Sequence, residues 1–77
     1  MSKTQKLSGH ELIKFLSKAA FKPIRQKGSH VILIKETERG KIGCTVPLHK
    51  ELKIGTIKGI LKQAGISEDE FKKLLKK

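Results

Sequence analysis

The run Val31-Ile32-Leu33-Ile34 follows directly on Gly28-Ser29-His30 and limits the possible folds more than any other stretch. It is apolar, largely β-branched, too short for a helix and preceded by a turn glycine, so it specifies a strand over Ser29 to Lys35. Alternation puts Val31 and Leu33 on one face and His30, Ile32 and Ile34 on the other. Both faces are apolar, so the pattern does not say which one meets the rest of the protein. If His30 faces away from any helices, Ile32 and Ile34 form an exposed apolar patch that needs a partner.

The other elements are arranged around that strand. Upstream, Ser8-Gly9-His10-Glu11 fits a capping box, and Leu12, Ile13, Leu16, Ala19 and Ala20 repeat at helical spacing. A helix is expected from Gly9 to Ala20, with Lys14 and Lys18 on its wet side, and Lys22-Pro23 cannot continue it. Ile24 to Lys27 reads as a short edge strand, and Gly28 turns the chain into the central one. Downstream, Glu36 to Gly40 is a polar hairpin loop. Lys41 to Val46 then alternates Ile42, Cys44 and Val46 against Lys41, Gly43 and Thr45, a half-buried strand that Pro47 stops.

Leu48 to Gly55 reads as a loop. Thr56 is the expected N-cap of a second helix, with Ile57, Ile60, Leu61 and Ala64 as its buried stripe and Gly65 as a left-handed C-cap. Ser67 and Glu70 form another capping box, and Phe71, Leu74 and Leu75 give a short third helix its apolar face. The order α-β-β-β-α, with a C-terminal helix added, predicts an α+β fold. Its helices should cover one face of a three-stranded antiparallel sheet. No repeat or linker divides residues 1–77, so one domain is expected, with residues 1–6 frayed.

Size and charge narrow the function. Seventy-seven residues are near the lower limit for one unstapled core. A single cysteine, Cys44, allows no internal disulfide and suits a reducing cytosol, and it reads as a small buried hydrophobe. Neither a leader nor a long apolar run is present, so a cytoplasmic protein without a membrane span is expected. Lys and Arg number 18 against 7 Asp and Glu, a net charge of +11. So much positive charge on so small a body favours a polyanionic partner, with a generic basic surface as the competing explanation. With three Phe and no Trp or Tyr, the chain has no aromatic platform for stacking bases, which leaves phosphate contact.

One segment combines a phosphate cradle with an acid–base group. Arg25 and Lys27 bring positive charge, Gly28 has no Cβ to keep a ligand away, and His30 carries an imidazole. Histidine has an unperturbed pKa of about 6.5, which lets it take and give protons near neutrality. From the residues alone, the favoured reading of His30 is an ordinary packed or solvated strand residue beside a turn glycine. His10 reads as a solvated helix residue, and His49 lies in the loop after the third strand. No spacing of His, Cys and acids recurs, so no metal site or cofactor is expected.

At this point the sequence resembles a known family. Leu12-Ile13-Lys14-Phe15-Leu16, Phe21, Arg25-Gln26-Lys27-Gly28-Ser29-His30, Thr45-Val46-Pro47-Leu48-His49 and the segment Gly55 to Ile66 are similar, in order, to the HicA toxins. The likeness extends from about Leu7 to Leu75. It implies a double-stranded-RNA-binding-domain-like fold and a metal-independent ribonuclease that cleaves mRNA and is inhibited by a HicB-type antitoxin. The family's catalytic histidine maps onto His30. Arg25, Lys27, Gly28 and Ser29, with His49 as a further candidate, are then the expected RNA- and phosphate-binding residues. Many members carry a second histidine where this chain has Val31. The alternative is a noncatalytic RNA-binding module of the same fold, which would not need His30. A DNA-binding role has no recognition helix to support it.

Overall fold

A computed structural model describes residues 7–75, with side chains to residue 73. The expected fraying of residues 1–6 and the apolar role of the Leu74 and Leu75 side chains lie outside the described residues. The order is α1 (Gly9–Lys18), β1 (Lys22–Lys27), β2 (His30–Thr37), β3 (Gly40–Pro47), α2 (Ile54–Ala64) and α3 (Glu68–Leu75). The strands form one antiparallel sheet in the order β1-β2-β3, the α-β-β-β-α architecture expected from the sequence.

Helix α1 starts as its sequence dictates. The Ser8 hydroxyl accepts from the Glu11 N–H while the Glu11 carboxylate accepts from the Ser8 N–H, so two otherwise unpaired donors are satisfied reciprocally. The helix ends two residues before the expected Ala20. Ala20 takes a left-handed conformation (φ 76°), and the Phe21 N–H donates back to the Leu16 carbonyl. A left-handed residue followed by a bond back into the last turn is the usual way a helix stops, though glycine generally fills the position. Phe21 is then driven inward and is almost completely buried.

The strands run slightly past their expected bounds. β1 begins at Lys22 rather than Ile24, because Pro23 sits at a bulge on an edge strand, where a missing N–H costs no ladder bond. Ile24 is the extra residue of that bulge and is exposed. β2 starts at His30, one residue after the expected Ser29, which belongs to the turn, and runs past Lys35 to Thr37; β3 includes Gly40 and Pro47. In β2, Val31 and Leu33 are buried against the helices together with Cys44 and Val46 of β3. His30, Ile32 and Ile34 therefore occupy the open face. Of the strand positions expected to face inward, Ile42 is only partly buried.

Leu12, Phe15 and Leu16 of α1 and Ile57, Ile60, Leu61 and Ala64 of α2 complete the core. α2 begins three residues earlier than expected. Lys53, with extended backbone and no side-chain cap, precedes the helix, and Thr56 lies inside the first turn. Leu52 bridges to Leu7, which fixes the chain just ahead of the helix. Gly65 (φ 72°) caps the C-terminus as expected. The Ser67–Glu70 capping box also forms, and Phe71 of α3 meets Phe15 edge-on at 4.7 Å between ring centroids. Such a pair contributes about 0.5–1.5 kcal/mol beyond its buried area.

Two backbone positions give opposite predictions. A Cβ at Gly9 would drive into the Pro47 carbonyl and lie 2.9 Å from the Leu48 Cα, backbone atoms that cannot rotate aside. Gly9→Ala should therefore lower stability by about 1–3 kcal/mol, as overpacking does, and lower the urea midpoint. Ala20→Gly should raise that midpoint, since a non-glycine left-handed residue costs about 1–2 kcal/mol.

Candidate active site

The site is built on the β1–β2 hairpin. Lys27 pairs with His30 across a two-residue turn, Gly28-Ser29. Gly28 has φ 63°, a conformation most side chains avoid, while Ser29 has none of that strain. Positive φ at the first central residue alone is the pattern of a II′ turn, whose twist matches that of the flanking strands. The Gln26 side-chain amide donates to the Gly28 carbonyl (3.1 Å), and the Leu48 N–H donates to the Ser29 carbonyl (2.6 Å). The turn is held from within and by the chain leaving β3.

Directly opposed residues in a sheet share a face, so register tells what surrounds His30. Its partners are Lys27 on one side and Pro47 on the other. Next along the open face come Arg25, Ile32 and Thr45, then Lys22, Ile34 and Gly43. β1 thus sets three cations beside the central strand. Arg25, Lys27, Gly28, Ser29 and His30 are all exposed, while Ile32 and Ile34 are half-buried. The apolar pair foreseen for a histidine facing away from the helices lies on this face, half-buried rather than fully exposed.

The hairpin brings together five of the six residues read from the sequence, and the chain after β3 brings the sixth, His49, to the same end. The His49 carbonyl accepts from the Gly9 N–H (2.9 Å), one residue beyond Leu48, whose own amide is tied to Ser29. Through that bond His10 also lies at this end of the fold, exposed as expected. Sequence reasoning missed Lys22 and Pro47. Lys22 was hidden by starting β1 after the proline, and Pro47 by treating proline as a strict strand end. No hydrogen bond or ion pair engages the His30 or His49 side chain among the described residues. Nor, among those residues, does any group of three His, Cys, Asp or Glu side chains come together to hold a metal.

What the fold and its exposed residues define is a small, strongly basic α+β domain with one open sheet face that ends in a histidine at a glycine turn. A sequence model of the family described as HicA toxin of bacterial toxin-antitoxin matches residues 9–66, most of the chain. The chain belongs to the HicA toxin family, and membership gives it the toxin's part in a toxin–antitoxin system with an antitoxin as partner. No curated protein and no solved structure matches it. Among the described residues, no helix is long and apolar enough to cross a membrane.

The remaining reactive side chain is removed from this chemistry. Cys44 lies on the buried side of β3, and burial pushes its thiol up to about 11. A thiol that holds its proton through neutral pH is a poor nucleophile. Iodoacetamide at pH 8 should therefore leave Cys44 unmodified in the folded protein and alkylate it readily in urea, with mass spectrometry as the readout. Rapid labelling of the folded chain would show that β3 opens.

Proposed function

We propose that this toxin is a cytoplasmic, metal-independent endoribonuclease that cleaves mRNA with His30 as general base. The observation that carries this reading is the exposed imidazole of His30, which no other described residue engages, beside Lys27 and a glycine turn. RNA supplies its own nucleophile, the 2′-hydroxyl next to the scissile phosphate, so no serine or cysteine is needed. The protein must accept the hydroxyl proton and stabilise the charge that develops on the phosphoryl oxygens. His30 does the first. Arg25, Lys27 and the backbone N–H groups of Gly28 and Ser29 do the second, and DNA, without the hydroxyl, is not cut.

A HicB-type antitoxin is the partner this surface suits. The half-buried strip of Ile32 and Ile34, rimmed by Lys22, Arg25 and Lys27, fits an acidic protein face that carries apolar residues. Such a partner would cover His30 and stop cleavage.

His30→Ala should lower RNA cleavage on the order of a hundred- to ten-thousand-fold while leaving the thermal midpoint and RNA affinity nearly unchanged. Cleavage by the wild type should persist in EDTA. A noncatalytic RNA-binding module would bind RNA equally well with either residue and cut it with neither. Should the alanine variant cut at the wild-type rate, the base is another group.

A further inference from the structure

One histidine cannot serve both ends of an in-line displacement. The base that accepts the 2′-hydroxyl proton stands on one side of the phosphorus, and the leaving 5′-oxygen departs on the other. We infer that His49 is the second catalytic residue, the acid that protonates the leaving oxygen; this rests on the reading of His30 as the base.

The backbone brings the two histidines near each other. Pro47 is the direct partner of His30, so their Cα atoms lie about 4.5–5.5 Å apart. His49 is two residues further on, which places its Cα no more than about 13 Å from that of His30. Both ends of this step are fixed. The Leu48 amide is bonded to the Ser29 carbonyl, one residue before His30, and the His49 carbonyl is bonded to the Gly9 amide at the start of α1. Leu48 packs against the core, whereas His49 is exposed and its imidazole engages no other described residue. The fold therefore holds two exposed imidazoles, engaged by no other described residue, on neighbouring, hydrogen-bonded segments. That Cα separation is within the span of two imidazole side chains and a phosphate. His10 is the other candidate, but it stands on the helix layer, whereas His30 is on the open face.

The His30 imidazole takes the 2′-hydroxyl proton as the 2′-oxygen bonds to phosphorus. The bond from phosphorus to the 5′-oxygen breaks, and the His49 imidazolium gives its proton to that oxygen. The products are a 2′,3′-cyclic phosphate and a 5′-hydroxyl end, with His30 left protonated and His49 neutral. Exchange with water restores both.

A leaving group that needs no proton separates this role from binding. Cleavage sites are first mapped on unmodified RNA. An oligonucleotide with sulfur in place of the bridging 5′-oxygen at one such site is then compared with its all-oxygen counterpart. His49→Ala should slow the oxygen substrate on the order of a hundred-fold and cut the sulfur substrate near the wild-type rate, with an unchanged thermal midpoint. His30→Ala should be slow on both, and His10→Ala should behave as wild type on both. If His49→Ala is equally slow on both substrates, or fast on both, His49 is not the acid. If instead His30→Ala cleaves normally, the failure lies with the base on which this inference rests.

Discussion

The two-residue turn at Gly28-Ser29 fixes how β1 meets β2, and that register determines what each face of the sheet presents. Because side chains alternate, a slip of one residue would exchange the faces of the central strand. It would bury His30, Ile32 and Ile34 under the helices and expose Val31 and Leu33. The positive φ of Gly28, the Gln26 bond to its carbonyl and the Leu48 bond to the Ser29 carbonyl all act against such a slip. The core set of Val31, Leu33, Cys44 and Val46 acts in the same direction, since only one register buries all four beneath α1 and α2.

The same arrangement links the helix layer to the open face. Gly9 has no side chain, so the start of α1 presses against Pro47 and Leu48 and donates to the His49 carbonyl. The segment after β3 is thereby held between a helix start and the β1–β2 turn. Loops with few contacts are usually the mobile part of a small domain. This one is tied at three residues, Leu48, His49 and Leu52, which suits a segment that must keep a side chain in place. The cations lie mainly on the other side of His30, along β1, where they blunt an edge strand and attract phosphate together.

Much of this was legible in the sequence, wherever a local rule has a single answer. Both capping boxes, the Gly65 cap, the apolar stripe of α2 and the alternation in β3 each follow from residues three or four apart, or two apart in a strand. The orientation of β2 was not legible, since His30-Ile32-Ile34 is nearly as apolar as Val31-Leu33. Only the helices packed against the sheet distinguish them. The start of α2 was misplaced for a similar reason. Thr56 has the better capping side chain, but the Leu7–Leu52 bridge positions the chain so that Ile54 opens the helix. The candidate site was legible as a cluster on one hairpin. The approach of His49 depends on a contact between segments nineteen residues apart, Ser29 and Leu48, which no local pattern encodes.

The claim at the centre of this account is that the RNA attacks itself and the protein only moves protons and holds phosphate. The ends of the cleaved RNA report on it directly. Cleavage of a defined RNA by the purified wild-type protein, followed by mass spectrometry of both fragments, should give a 2′,3′-cyclic phosphate on the upstream piece and a free 5′-hydroxyl on the downstream piece. A 3′-hydroxyl with a 5′-phosphate would mean that water, not the 2′-oxygen, attacked the phosphorus, and the mechanism assigned to His30 would be wrong.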